Sequence, residues 1–167
     1  MYKIMQIVAT YSMQVLYYNV HGQEQNPKVH HIENGQMTKK LRDFYFKNPS
    51  IRAFLKGIEK RDEKYIIGVM KNIEMENGER IIRSGTYDRC VIFLAGGELM
   101  SFTNDKNTVY TEGAILGIEQ FLFNKPWAED IMCKSQATIS KLTFDDVSDL
   151  ALNNAIAASR LHKRIVR

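Results

Sequence analysis

The chain has 167 residues, a formal net charge of +4 and 44% hydrophobic residues, which are ordinary values for one soluble globular domain. Its two cysteines, Cys90 and Cys133, exclude a disulfide framework and a four-cysteine zinc site, and they fit the cytoplasm or another reducing compartment. No apolar run approaches the roughly 20 residues that cross a bilayer, and no signal peptide is expected.

The first part of the chain is predicted to be helical. Apolar residues at helical spacing over 3–18 indicate an amphipathic helix, and the polar stretch 19–36 is typical of a loop or linker. Three further helices are predicted, over residues 39–48, 50–58 and 62–71, because each carries an apolar face and Asn48-Pro49 separates the first two.

At residue 72 the apolar period changes from near 3.6 to near 2, so strands replace helices. Short strands then alternate with turn signals such as Asn77-Gly78 and Gly96-Gly97, at intervals of about 8–12 residues. One or two helical turns interrupt them over residues 118–124, before Pro126. This pattern favours a small β-barrel or jelly roll.

Residues 144–166 return to helical spacing, with Thr143 as a plausible cap and two aspartates in the first turn. The predicted fold class is therefore α+β, with N-terminal helices, a jelly-roll-like β-barrel of about eight strands with a short inserted helix, and a long C-terminal helix. The predicted divisions are a helix plus polar linker (1–36), a helical bundle (37–71), the barrel (72–143) and the C-terminal helix (144–167).

Two stretches of the barrel region carry glycines and acidic residues in a recognisable frame. The first runs Gly78-Glu79-Arg80-Ile81-Ile82, then Ser84-Gly85, then VIFLAGGE over 91–98; the second comprises Gly113–Gly117 and Phe121–Pro126. These stretches resemble the cyclic nucleotide-binding domain of kinase regulatory subunits, bacterial catabolite activators and nucleotide-gated channels. The resemblance covers about residues 40–167. The second stretch is similar to the family's phosphate-binding cassette. The resemblance implies a non-catalytic regulatory module.

The cassette departs from the family pattern at its polar positions. Ile118 stands where the family has the Glu that holds the ribose hydroxyl, and Trp127 stands where it has the Arg that pairs with the phosphate. Glu129 and Asp130 replace an Ala and a Thr, and Lys125 is the only cation nearby in the sequence. Losing one charge-assisted hydrogen bond costs about 1.5–3 kcal/mol. We therefore expect that binding of cAMP and cGMP has been lost.

The candidate site and interface residues follow from this alignment. Trp127 either fills the vacated site, anchors a partner or stacks on a purine, and the glycines are expected to serve backbone geometry. The pseudo-site residues are Gly113, Gly117, Ile118, Glu119, Trp127 and Ala128. The candidate partner interface is formed by Phe121, Phe123 and Trp127.

The chain is expected to act as a docking or assembly subunit of a larger protein complex. Attachment of that complex to a membrane or to the cytoskeleton is left open. No enzyme activity or cofactor is expected, because the barrel section contains no histidine for Ser/His/Asp catalysis. No metal is expected either, because His21, His30 and His31 lie in the polar loop and not on a preformed scaffold. Nucleic acid is not an expected partner, since no basic run is interleaved with aromatic residues. The alternative is a regulatory sensor domain of a cation channel, sodium–proton exchanger or kinase complex, in which Glu119 and Lys125, or a stacked Trp127, accept a cyclic nucleotide or other small ligand.

Overall fold

The computed structural model describes residues 48–102 and 106–166. The helices predicted over 3–18 and 39–48 and the linker over 19–36 lie outside the described residues, except for Asn48, which caps the next helix. Two helices open the described part, α1 (Pro49–Leu55) and α2 (Lys60–Val69), close to their predicted positions. Pro49 occupies the first turn of α1, and the Asn48 side chain caps it by accepting the N–H of Ile51 at 3.1 Å.

The strands form two antiparallel sheets of four strands each, with the orders β1-β8-β3-β6 and β2-β7-β4-β5. A short helix, α3 (Ile118–Phe123), lies between β6 and β7, and the predicted α+β, jelly-roll-like fold is confirmed. Within the described residues, no strand pairing joins the two sheets into a closed barrel. The strands are β1 (Lys71–Met75), β2 (Arg80–Ile82), β3 (Cys90–Gly96), β4 (Leu99–Phe102), β5 (Asn107–Tyr110), β6 (Ile115–Leu116), β7 (Asp130–Cys133) and β8 (Ala137–Thr143).

Strand β3 is buried on both faces and separates two apolar layers. Cys90, Ile92 and Leu94 belong to the core that both sheets share. Phe93 has the opposite orientation, and its ring packs edge-on against Phe54 of α1 with centroids 5.0 Å apart. This explains why β3 is a continuous apolar run in the sequence. The rest of the shared core comprises Met75, Ile82, Leu99, Trp127, Ile131, Cys133, Ala137 and Ile139.

The structure divides the predicted long C-terminal helix into α4 (Phe144–Asn153) and α5 (Ala155–Ile165). Asn154 lies between them with φ −152° and ψ 82°, and its side chain accepts the N–H of Ala157 at 3.0 Å. It thereby ends one helix and caps the next. The predicted cap at Thr143 is confirmed as a capping box with Asp146. No helix among the described residues is long and apolar enough to cross a membrane.

Helix α5 packs against the N-terminal helices α1 and α2 and against α4. Arg160 of α5 contacts Glu59 at 2.7 Å and also pairs with the buried carboxylate of Asp62 in α2. Arg164 donates to the main-chain carbonyl of Phe54 in α1. A buried carboxylate needs such a partner, because leaving it unpaired costs several kcal/mol. These contacts hold the C-terminal helices on the N-terminal pair.

We predict that Gly97→Ala strongly destabilises the fold. Gly97, between β3 and β4, has φ +82°, and a Cβ atom there would lie 2.2 Å from the carbonyl oxygen of Gln136. Left-handed strain of about 1–2 kcal/mol and overpacking of about 1–3 kcal/mol should together lower the free energy of unfolding by about 3 kcal/mol. Denaturant unfolding monitored by fluorescence measures this loss.

Gly78→Ala is the matched control. Gly78 has φ +84°, but a Cβ atom added there would meet no other atom within 4 Å, so only the strain of about 1–2 kcal/mol applies. Equal losses for the two variants would contradict the role assigned to the close approach at Gly97.

Candidate functional site

The segment that resembles a phosphate-binding cassette runs from β6 through α3 to β7. Gly117 precedes α3 with φ +87°, and a Cβ there would lie 2.3 Å from the carbonyl oxygen of Cys90 and 2.8 Å from the Trp127 ring. Only glycine fits this position, because the indole and the β3 backbone both approach it closely. Gly117 therefore serves the packing of Trp127 against the strand.

Trp127 lies inside the core shared by the two sheets, with 5% of its surface exposed. Its indole Nε1–H donates to the main-chain carbonyl of Asp88 at 2.8 Å. Its main-chain N–H donates to the carbonyl of Thr86 at 2.9 Å, and its carbonyl accepts the N–H of Gly85 at 2.7 Å. Of the alternatives left open by the sequence, the structure has the indole filling the interior, held by the loop between β2 and β3.

Lys141 is a second cation at this site, which sequence reasoning missed. On β8 it lies on the same face as the core residue Ile139, and it is paired in register with Ile92 of β3. Its Nζ atom is 2.7 Å from Oδ2 of Asp88, and 19% of the Lys141 side chain and 36% of the Asp88 side chain are exposed. The period-2 pattern of β8 is the signal that places Lys141 on the inner face.

Three other charged residues of the cassette, Glu119, Lys125 and Asp130, have partners in the structure. Glu119 and Lys125 form an exposed ion pair with 3.2 Å between Oε2 and Nζ. Asp130 accepts the main-chain N–H of Ser84 at 2.7 Å and lies 3.7 Å from a nitrogen of Arg80. The structure therefore brings Glu119 and Lys125 together on the surface, away from the buried indole.

The remaining pseudo-site residues present main-chain groups or apolar surface. Gly113 donates its N–H to the carbonyl of Leu94 at 3.0 Å. Ala128 is exposed, and its carbonyl accepts the Ser84 hydroxyl at 3.1 Å. Ile118 is half-buried at the start of α3 and offers no acceptor for a ribose hydroxyl.

The three aromatic residues predicted to meet a partner are placed differently. Phe121 is 2% exposed and packs against Phe144 with ring centroids 5.8 Å apart, whereas Phe123 is 54% exposed. With Trp127 also buried, Phe123 alone of the three presents its ring to solvent.

Arg89 connects the short helix α3 to the first residue of α4, and no motif in the sequence singled it out. Its Nε and Nη2 atoms donate to the carbonyl of Phe121 at 3.1 and 2.9 Å. Its guanidinium carbon lies 3.5 Å from the centroid of the Phe144 ring. Burial lowers the pKa of the Arg89 guanidinium, and the carboxylate of Asp145 opposes that shift. The two helices are thus joined through one side chain.

Comparison with known proteins supports the fold. No family model and no curated protein matches the sequence. A cyclic nucleotide-binding domain from Methylobacillus flagellatus superimposes with a TM-score of 0.61 at 15% identity, covering 74% of this chain and 75% of that one. The chain therefore has the fold of cyclic nucleotide-binding domains.

Kinase regulatory subunits are also similar in structure to this chain. The regulatory subunit of a cAMP-independent protein kinase A from Trypanosoma brucei matches with a TM-score of 0.57 at 19% identity, over 77% of this chain. A mutant of it, with alanine, arginine and alanine in place of glutamate, threonine and valine, is bound to cAMP in its A site and has a TM-score of 0.59. This chain spans about half of that protein, 47% of its length.

We predict that Arg89→Ala loosens the junction between α3 and α4. It removes charge-assisted hydrogen bonds, which contribute about 1.5–3 kcal/mol each, and a cation–π contact of about 0.5–1 kcal/mol. The free energy of unfolding should fall by about 2 kcal/mol or more in denaturant titration. Arg89→Lys, which keeps the charge but not the fork of donors, should lose less. A loss below about 0.5 kcal/mol for Arg89→Ala would contradict this role.

The Cys90 thiol predicts a pH dependence of stability. Burial raises its pKa from 9.0 to about 12, and the neighbouring Lys141 opposes this. Above pH 9 the unfolded chain releases the thiol proton while the folded protein retains it. Stability is therefore fully present below pH 9 and is lost by about 1.4 kcal/mol per pH unit toward the folded pKa.

Comparison with Cys90→Ala isolates this contribution from the other groups that titrate at high pH. The difference in unfolding free energy between the wild type and this variant should be constant below about pH 8 and fall above about pH 9. A difference that stays constant through about pH 10.5 would show that Cys90 ionises equally in both states.

Proposed function

We propose that this chain, which has the fold of a cyclic nucleotide-binding domain, has lost cAMP and cGMP binding and acts as a non-catalytic docking or assembly module. The observation that carries the proposal is the position of Trp127. Its indole lies in the core, at the position that the resemblance assigns to the phosphate-pairing arginine, and its N–H donates to Asp88. A nucleotide would have to displace a ring that contributes to the stability of the fold.

The polar groups near the indole supply little for an incoming anion. The Lys141 ammonium already pairs with the Asp88 carboxylate at 2.7 Å, so a phosphate would have to compete with that carboxylate. Each charge-assisted hydrogen bond that is absent costs about 1.5–3 kcal/mol, or about ten- to a hundredfold in affinity. Ile118 offers no acceptor for the ribose hydroxyl. These costs together favour a site without bound nucleotide.

The trypanosome neighbour supports this interpretation. It is described as cAMP-independent, and its mutant bound to cAMP carries an introduced arginine and two introduced alanines. The same fold therefore occurs in a regulatory subunit that does not depend on cAMP. By the resemblance, the polar cassette positions of the present chain hold Ile118, Trp127 and Glu129.

The docking role rests on exposed apolar side chains. Phe123 at the end of α3, Tyr87 in the loop that holds the indole, and Ile156 at the start of α5 are 54%, 64% and 64% exposed. Aromatic and aliphatic side chains at a surface are typical of protein interfaces. We propose protein partners within a larger complex. Both cysteines are free thiols, which supports a reducing compartment such as the cytoplasm.

The sensor alternative is less well supported by the side-chain pairing. It requires Glu119 and Lys125, or an accessible Trp127, to accept the ligand. Glu119 and Lys125 contact each other on the surface, and the Trp127 ring is buried. A sensor of a channel, exchanger or kinase complex would therefore need a different set of contacts.

Isothermal titration tests the loss of binding. The wild type titrated with cAMP and with cGMP at millimolar concentration should give no saturable heat. Saturable binding with a Kd below about 100 µM, equivalent to more than about 5.5 kcal/mol, would overturn the proposal.

A restored cassette provides the companion measurement. The triple variant Ile118→Glu, Trp127→Arg, Glu129→Ala introduces the polar side chains that the resemblance calls for and removes one carboxylate. Binding by a folded triple variant, with none by the wild type, would assign the loss to these positions. Circular dichroism and thermal unfolding show whether the triple variant is folded.

A further inference from the structure

The pair formed by Lys141 and Asp88 lies beside the core that the two sheets share. Lys141 lies on the inner face of β8, on the same side as Ile139, and its register partners are Ile92 of β3 and Lys71 of β1. An ammonium in such surroundings needs an anion, because an unpaired charge there is costly. Asp88 supplies this anion at 2.7 Å.

Hydrogen bonds hold the main chain of Asp88 in place independently of its carboxylate. Its carbonyl accepts the indole N–H of Trp127 at 2.8 Å and the N–H of Cys90 at 3.0 Å. The carboxylate is therefore held beside Lys141 with little further loss of freedom. A group held in this way competes at a high effective concentration with any soluble anion of the same charge.

The solvent exposure of the pair indicates what replaces the carboxylate when it is absent. The Asp88 side chain is 36% exposed and the Lys141 side chain 19%. Solvent therefore reaches the position that the carboxylate occupies, while the ammonium beyond it is more enclosed. A small anion has access to the Lys141 ammonium from the solvent side once the carboxylate charge is removed.

We propose that Lys141 is the cation of a latent small-anion site and that Asp88 is its resident anion, supplied by the chain itself. The ligand class is inorganic phosphate or a simple phosphate monoester, which matches one ammonium through charge-assisted hydrogen bonds. The inference rests on the proposed loss of nucleotide binding. It explains why a phosphate group does not bind: the Asp88 carboxylate of the same chain occupies the site.

The test titrates inorganic phosphate at constant ionic strength into the wild type and into Asp88→Asn. The chain contains a single tryptophan, Trp127, whose indole donates to the Asp88 carbonyl, so fluorescence reports on this site alone. The asparagine keeps the shape and the main-chain contacts but removes the charge. Asp88→Asn should show a saturable fluorescence change with a Kd at least about tenfold lower than any wild-type response.

The double variant Asp88→Asn, Lys141→Met is the matched control and should lose that response. Phosphate binding by the wild type equal to that of Asp88→Asn would overturn the inference, as would an absent response in folded Asp88→Asn or an undiminished response in the double variant. Asp88→Ser is titrated in parallel, so that the test stands if the asparagine variant does not fold. Saturable binding of cAMP by the wild type would instead contradict the proposed function.

Discussion

The hydrogen bond from the Trp127 indole to the main-chain carbonyl of Asp88 sets what this site is able to do. It holds a large apolar ring between the two sheets, where truncation of a buried tryptophan costs about 3–5 kcal/mol. It also fixes the residue whose carboxylate pairs with Lys141. Under the proposed function, this one contact removes both the space and the free cation that a nucleotide would need. Trp127 therefore contributes to the stability of the core.

The contacts of the C-terminal helices point in the same direction. Here α5 is tied to α2 through Arg160 and the buried Asp62, and α4 is tied to α3 through Arg89. The Asp62 carboxylate is buried and needs a partner, so this arrangement resists displacement. A helical face held in one position is compatible with the proposed docking role.

Local patterns predicted the fold, but not the contacts that decide the site. The change of period at residue 72 and the cap at Thr143 were sufficient to place helices and strands. The helix break at Asn154 was not visible, because the apolar spacing continues through it and the break depends on one side-chain cap. The pairing of Asp88 with Lys141 was also hidden, since it arises from the register between β3 and β8. Residues distant in sequence meet only once the sheets have formed.

The NMR resonance of the Trp127 indole N–H tests whether the ring stays buried and bonded to Asp88 when cAMP is added. The sequence has one tryptophan, so a ¹⁵N-labelled sample gives one indole signal to follow. We expect slow exchange of this proton with solvent and an unchanged chemical shift in millimolar cAMP, because the ring is buried and bonded to Asp88. Exchange at the rate of a free indole, or a saturable shift with added cAMP, would contradict it.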